Sequence, residues 1–327
     1  MDLRESIFWM NGRLATNCVE ISDDPNSLDK DGFWVVVKEF EGKFLSARFE
    51  NVIDSEFPKV EWKKLKGSWK STQSKQIYES NVERVKNLIA DGDVYQVNLC
   101  RVLSTDCDQS LQGLAAELIE NNPAPFASYL KLPGLEIASA SPELFLKRDG
   151  DLVQCSPIKG TSKSADFGEK DKAENVMIVD LIRNDFGQIC ESGSIEVPRL
   201  LGIEKHPGLF HLVSDVIGKV KKGITWGNII NSLTPAGSIS GAPKSSAIKS
   251  IREIENSPRG PYCGVIGWVE GDQAIISVGI RLFWSVQNGK INFGTGAGIT
   301  WQSDPKSEWD ETELKADRLI SIAGGLR

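Results

Sequence analysis

The chain is poor in histidine, and its cysteines are scattered. Only His206 and His211 occur among the 327 residues, so a metal site built from several imidazoles is nearly excluded. The six cysteines form no Cys-x-x-Cys pair, which argues against a zinc site and against a disulfide framework. Any bound metal must therefore be held mainly by oxygen ligands, which favours Mg²⁺.

The sequence also lacks long apolar runs and local basic patches. The apolar run at 33–37 falls far short of the roughly 20 residues needed to cross a bilayer. The charged residues Asp2, Arg4 and Glu5 do not begin a secretory signal. The formal net charge of -7 at pH 7 would repel a polyphosphate backbone. These absences predict a cytoplasmic protein with no membrane and no nucleic acid as its partner.

The predicted elements favour an α+β fold in which large antiparallel sheets are layered with helices outside them. Hydrophobic periodicity predicts helices at 74–92, 111–120, 169–185 and 305–322, and another that begins near Pro243. Alternating apolar residues predict strands at 33–37, 43–49, 95–99, 127–132, 135–140, 143–148, 152–155, 262–270, 274–285 and 290–293. Because hairpins follow one another along the chain, a doubly wound parallel sheet is not expected.

Two of the predicted helices carry carboxylates on one side. Glu308, Glu311 and Lys315 are at positions i, i+3 and i+7 of the last helix, so all three project from the same side. Asp171 and Glu174 have the i, i+3 relation on the long middle helix. Such pairs are more often a solvated helix surface than a metal site. Two carboxylate helices that face each other could nevertheless hold Mg²⁺ against a substrate carboxylate.

Two glycine-rich segments raise nucleotide binding as an alternative function. The segment 294–298 is predicted to be a turn whose backbone N–H groups bind an anion. It lacks the last glycine of a dinucleotide fingerprint, and no βαβ pattern surrounds it. The segment 237–245 has Pro243 where a phosphate-binding loop needs glycine before its lysine. Pro243 fits the first position of a helix, with Ser240 as its cap. A nucleotide-binding module therefore stays the weaker alternative.

Several stretches become recognisable when they are considered together. They are GDVYQVNL at 92–99, SPELF at 141–145, PIKGT at 157–161, AENVMIVDLIRND at 173–185, HLVS at 211–214, PAGSISGAPK at 235–244, GAG at 296–298 and EWDET at 308–312. In this order they resemble the chorismate-utilising enzyme family, which includes anthranilate, aminodeoxychorismate, isochorismate and salicylate synthases. The resemblance covers roughly residues 75–320 and implies that family's fold.

The resemblance implies one site that holds chorismate and Mg²⁺. The implied metal ligands are Glu174 and Glu311, with Glu308 and Asp171 nearby. The implied substrate-binding residues are Arg281, Lys315, Gly296, Ala297, Gly298, Ser238, Tyr262, His211, Gln96 and Thr161. Of these, the two cations and the glycine-rich backbone would bind the carboxylate that the metal does not hold. A dianionic substrate in a carboxylate-rich site needs such compensating positive charge.

Two positions indicate which reaction of the family to expect. Members that add water resemble one another in carrying a lysine base where this chain has Gln96. Glutamine cannot take a proton from water, so ammonia is favoured as the nucleophile. Anthranilate synthases usually read Pro-Ile-Ala-Gly-Thr, whereas aminodeoxychorismate synthases resemble this chain in having lysine, here Lys159. The resemblance therefore favours component I of aminodeoxychorismate synthase, in para-aminobenzoate and folate synthesis, with anthranilate synthase component I as the alternative.

Lys159 predicts a covalent mechanism. In anthranilate synthase ammonia attacks C2 of the ring and the 4-hydroxyl leaves. A lysine amine in the same place would attack C2 itself, after which ammonia would enter at C4 and expel the lysine. Glu143, sixteen residues earlier, is the expected acid that protonates the departing hydroxyl. Lys159 and Glu143 are thus the predicted catalytic residues.

The organisation of the chain leads to two further expectations. No internal repeat or low-complexity linker marks a boundary, so we expect one domain over 1–327, with a shortened N-terminal part at 1–70 and the catalytic core at 75–320. No Cys-His-Glu amidotransferase region is recognisable, so ammonia is expected from a separate glutamine amidotransferase subunit. After Thr161, residues 162–164 read Ser-Lys-Ser where many relatives read Arg-Pro-Arg, a departure in a loop expected to close over the site.

Overall fold

One large curled antiparallel sheet organises most of the chain. The computed structural model describes residues 3–162, 165–206 and 209–326, without the side chains of Thr161, Lys170, His206 and Leu209. Within these ranges eighteen strands pair antiparallel in the large sheet, and two more form a small parallel pair. Helices pack on the sheet, which confirms the predicted α+β class.

The elements run in the following order. The strands are β1 (Ile7–Met10), β2 (Arg13–Ser22), β3 (Phe33–Lys38), β4 (Phe44–Asp54), β5 (Leu65–Ser68), β6 (Lys70–Ser71), β7 (Gln96–Asp106), β8 (Phe126–Leu132), β9 (Leu135–Ser141), β10 (Leu144–Asp149), β11 (Leu152–Ser156), β12 (Ile158–Ser162), β13 (Glu196–His206), β14 (Leu209–Lys219), β15 (Gly241–Ala242), β16 (Val265–Glu270), β17 (Gln273–Val278), β18 (Leu282–Ser285), β19 (Lys290–Ile299) and β20 (Gly324–Leu326). The α-helices are α1 (Lys75–Ala90), α2 (Gln112–Asn121), α3 (Glu169–Ile189), α4 (Trp226–Leu233), α5 (Lys244–Ile254) and α6 (Pro305–Ala323), and short 3-10 helices lie at Pro25–Asp29 and Gly237–Ile239.

The first four strands belong to the same sheet as the rest of the chain. β3 pairs with β16, and β1 pairs with β8, over distances of more than one hundred residues in the sequence. One core cluster accordingly includes side chains from both ends of the chain, such as Trp34 and Ile266. The described residues therefore form a single domain.

The predicted helices are confirmed where periodicity and capping agreed. The Ser74 side chain accepts a hydrogen bond from the Ile77 N–H at the start of α1, and Val82 and Val85 are fully buried beneath it. Burial of each such side chain stabilises the fold by roughly 1.5–3 kcal/mol. The Asp304 side chain caps α6 in the same way. None of the helices in the described ranges is long and apolar enough to span a membrane.

The predicted turn at 294–298 is wrong, because these residues continue β19. They pair antiparallel with β7, with Gly296 opposite Cys100. Their glycines serve close packing: a Cβ atom on Gly294 would lie 2.1 Å from Cγ of Tyr262. Periodicity underestimated this strand because residues without side chains carry no hydrophobic signal.

Two further local predictions are corrected. The strand predicted at 274–285 is two strands, β17 and β18, since Arg281 between them has a φ of 51°, which strand residues do not adopt. Pro243 is the N-cap of α5 and not its first residue. Ser240 does not cap that helix, because its hydroxyl donates to the Ala236 carbonyl at 2.9 Å.

Candidate active site

Lys159 lies in a β-bulge of β12. Ile158 pairs with Val213 and Thr161 with His211, so β12 has one residue more than β14 over this step. Gly160 has a φ of 84°, a conformation that a residue with a Cβ rarely adopts. Bulges redirect the side chains beside them. The Lys159 side chain is accordingly turned inward, with 16% of its surface exposed, instead of projecting into solvent from a surface turn.

The Lys159 amine has an acidic and an amide neighbour. Its Nζ lies 3.5 Å from Oε2 of Glu174 on α3. A Cβ on Gly298 would lie 2.3 Å from Nε2 of Gln96 and 3.2 Å from Nζ of Lys159, so glycine is required for both side chains to stay in place. Gln96 is buried, and its Oε1 accepts no hydrogen bond from the described part of the chain. The Gln96 side chain, which carries this free acceptor, therefore lies in the surroundings of the amine.

Glu143 is a buried acid near the same lysine. Only 4% of its surface is exposed, and burial raises the pKa of its carboxyl from 4.5 to about 7. A hydrogen bond from Ser238 and the charges of Lys159 and Arg281 act in the opposite direction. Burial lowers the pKa of Arg281, and Glu143 counters that effect. A carboxyl with this pKa is protonated about half of the time at neutral pH, as a general acid requires.

The raised pKa of Glu143 predicts how stability depends on pH. The folded protein keeps a proton that the unfolded chain releases, so this contribution is complete below pH 4.5 and is lost as pH rises through about 7. Glu143→Gln removes the titration. We expect the free energy of unfolding of the wild type, relative to this variant, to fall by about 3 kcal/mol between pH 4.5 and pH 8. Denaturant titrations at both pH values check this, and a constant difference would contradict it.

A second charged group lies on α6 beside β19. Lys315 Nζ donates to the Gly296 carbonyl at 3.0 Å and lies 2.6 Å from Oε1 of Glu311. Glu308, one turn earlier, is 4% exposed. Gly296 and Gly298 are separated only by the buried Ala297. This short stretch of β19 therefore connects Lys315 and Glu311 on α6 with the surroundings of Lys159.

The predicted metal ligands lie on two helices. Asp171 and Glu174 are on α3, where Cβ of Asp171 would be 3.2 Å from a Cβ on Gly160, and Glu308 and Glu311 are on α6. Among the residues that the structure describes, no three His, Cys, Asp or Glu side chains are grouped to hold a metal. Mg²⁺ commonly uses one or two carboxylates and completes its shell with water and substrate oxygens. The oxygen donors present on α3 and α6 fit that requirement.

The remaining predicted residues differ in their surroundings. His211 is buried on β14 opposite Thr161, whose side chain is outside the described part. Ser238 lies in a 3-10 turn and hydrogen-bonds to Glu143. Tyr262 is 5% exposed and packs within the core against Gly294. Of the expected closing loop, residues 163 and 164 lie outside the described residues.

Sequence reasoning gave no role to an ion pair near Glu143. Lys244 Nζ donates to Oδ2 of Asp185 at 2.5 Å, and Asp185 lines a small cavity that Glu143 also lines. The only signal for them was that both belong to the recognised stretches at 173–185 and 235–244.

Comparisons with known proteins show the family and the fold of the chain. The family described as chorismate binding enzyme matches residues 38–321. The chain is 33% identical over 309 residues to anthranilate synthase component 1 of Archaeoglobus fulgidus, covering 90% of this chain and 74% of that protein. It is 34% identical over 280 residues to aminodeoxychorismate synthase component 1 of Bacillus subtilis, covering 80% of this chain and only 59% of that protein. The fold is similar to the crystal structure of anthranilate synthase component I from Streptococcus pneumoniae, with a TM-score of 0.83 and 21% identity over 98% of this chain and 93% of that one.

Proposed function

Because this chain belongs to the chorismate-binding enzyme family, we propose that it is component I of an aminodeoxychorismate synthase, which replaces the 4-hydroxyl of chorismate with an amino group. The observation that carries the proposal is the inward-turned Lys159 amine beside Gln96 and near Glu143. Relatives at 33–34% identity carry both the anthranilate and the aminodeoxychorismate name, so anthranilate synthase component I is the alternative.

In the first step the neutral Lys159 amine attacks C2 of the ring. The N–C2 bond forms, both double bonds of the ring shift by one position, and the C4–O bond breaks. Glu143 gives its proton to the departing hydroxyl, which leaves as water. An ammonium has no lone pair, so the ion pair with Glu174 must be given up as Lys159 loses its proton.

In the second step ammonia attacks C4. The N–C4 bond forms, both double bonds shift back, and Lys159 leaves C2 as a neutral amine. The buried Oε1 of Gln96 is an acceptor without a partner among the described residues, and it is suited to orient an N–H of ammonia. An amide cannot remove a proton from water, so this neighbour does not favour addition of water.

Each of the two substrate carboxylates needs positive charge beside it. Arg281, Lys315 and the backbone of 296–298 are the proposed partners of one carboxylate. Held by Glu174 and Glu311, Mg²⁺ would supply the positive charge for the other carboxylate. Ser238, Tyr262, His211 and Thr161 stay proposed as contacts of the ring.

Ammonia is proposed to come from a separate glutamine amidotransferase subunit. The relatives are named component 1, which refers to enzymes of more than one component. A nearby source would deliver ammonia to C4 before water can react with the covalent intermediate.

Product identification tests the proposed function. Incubation with chorismate, Mg²⁺ and an ammonium salt should yield 4-amino-4-deoxychorismate, detected by mass and retention time. Anthranilate would establish the alternative enzyme, and isochorismate would show that water is the nucleophile. Nucleotide binding without turnover would indicate the nucleotide-binding module instead.

A further inference from the structure

A small cavity lies beside Glu143, which forms part of its wall. Its volume is about 20 Å³, which is enough for one water molecule. Glu143, Ser238 and Asp185 supply polar groups to its wall, and Phe145, Ile182 and Phe186 supply apolar ones. A buried water is stable when two to four polar partners surround it. The cavity therefore has both the size and the polar lining for a single water between two carboxyl groups.

The second carboxyl, Asp185, connects the cavity with a lysine. Asp185 on α3 is 6% exposed, and Lys244 at the start of α5 donates to it at 2.5 Å. The Lys244 side chain retains 19% of its exposure, so it can exchange protons with solvent. Burial raises the pKa of Asp185, and Lys244 opposes this change. Cys155 also lines the cavity, and burial raises the pKa of its thiol, which keeps it neutral.

The proposed reaction consumes a proton that Glu143 supplies and must regain. When ammonia enters as NH₃ and the product leaves as an ammonium, one proton is taken up in each turnover, through Glu143. Glu143 is buried, and the groups that face it are Ser238, Lys159, Arg281 and Cys155. Because only 4% of its surface is exposed, direct proton exchange with solvent is restricted, and the cavity offers a second route to its carboxyl.

We propose that one water in this cavity connects Glu143 with the Asp185–Lys244 pair, and that the pair returns the proton that Glu143 loses. The inference rests on the proposed function, in which Glu143 is the acid. The water gives a proton to the Glu143 carboxylate as it receives one from Asp185. Asp185 is reprotonated by the Lys244 ammonium, which recovers its proton from solvent. Asp185 and Lys244 are positioning residues, since neither contacts the reacting atoms.

The test uses the full chain with chorismate, Mg²⁺ and ammonium. In Asp185→Asn and Lys244→Met we expect kcat to fall by about tenfold or more, while KM for chorismate stays unchanged. The loss should be smaller than the 10²–10⁴-fold loss expected when the general acid itself is removed. Turnover of these variants should rise with the concentration of imidazole buffer, because a small acid can then supply the proton, whereas the wild type should show no such dependence. Lys244→Arg keeps a positive charge beside Asp185, but a guanidinium does not give up its proton, so this variant should lose kcat and regain turnover with imidazole as Lys244→Met does. A wild-type rate in Lys244→Arg would show that the charge alone matters and would overturn the relay.

A matched control is Asp215→Asn. Asp215 is a partly buried carboxylate paired with Arg199 on the neighbouring strand, at 2.7 Å, and it does not line the cavity. It should retain kcat and show no buffer dependence. A merely structural role of ion pairs in this region would affect both kinds of variant alike.

Wild-type kcat without buffer dependence in Asp185→Asn and Lys244→Met would overturn the relay. If these variants fail to fold, Ala236→Val fills the cavity from its wall and leaves every charge in place. It should show the same loss of kcat and the same buffer dependence, and an unchanged kcat would overturn the proposal.

Product identity separates the test of the relay from the test of the proposed function. Anthranilate from the wild type would refute that function, but the relay would still supply the proton for the hydroxyl that leaves C4.

Discussion

Replacing Lys159 with alanine should reduce formation of the 4-amino product at least about 10³-fold, the scale seen when a nucleophile is lost. The amine is the protein group proposed to bond to C2, and its surroundings hold it inward next to Gln96. Its removal also leaves space near C2 for ammonia. Residual turnover at high ammonium is therefore expected to shift towards the 2-amino product, anthranilate, which product analysis by mass spectrometry would reveal.

Two further variants sharpen the Lys159 prediction. Lys159→Arg should not restore activity, because a guanidinium stays protonated and is no nucleophile at neutral pH. Lys147→Ala removes an exposed lysine on β10 and should leave turnover unchanged. If the alanine variant at position 159 made the 4-amino product at the wild-type rate, the covalent mechanism would have to be abandoned.

Removing Glu174 or Glu311 should abolish turnover without unfolding the protein. We expect losses of more than about 100-fold, since even the residues that orient metal ligands cost 10–100-fold. Glu311 has 47% of its side chain exposed and Glu174 has 16%, so neither alanine variant leaves a large cavity in the core. Excess chelator should stop the wild-type reaction, and added Mg²⁺ should restore it.

Controls on the same helices separate a metal ligand from a surface charge. Asp180 on α3 and Asp310 on α6 are exposed by 65% and 58% and form surface ion pairs, which contribute little. Asp180→Ala and Asp310→Ala should bind Mg²⁺ like the wild type in titration calorimetry. Glu174→Ala and Glu311→Ala should show much weaker heats, and full activity in chelator would contradict the metal assignment.

Local signals in the sequence were sufficient to predict the helices and the positions of the carboxylates on them. Ser74 and Asp304 begin α1 and α6 as capping residues do, because capping and 3.6-residue periodicity depend on neighbours in the chain. Spacing of three residues also placed Glu308 and Glu311 correctly on one helix. The resemblance, and not spacing, pointed to Lys159.

Features that depend on distant pairing could not be predicted. The bulge that turns Lys159 inward exists because β12 is paired with β14, about fifty residues away. The close approach of Gln96 and Lys159 to Gly298 joins three strands that are far apart in the chain. Asp185 and Lys244 are separated by 59 residues, and no local pattern indicates that such charges meet.

The most direct test of the covalent mechanism is the intact mass of the wild-type protein after incubation with chorismate and Mg²⁺ without ammonia. A fraction of the protein should gain the mass of chorismate less one water. Peptide mapping should place that gain on Lys159, and addition of ammonium should remove it as the 4-amino product appears. An unmodified mass under conditions that support turnover, or an adduct on another residue, would contradict the mechanism.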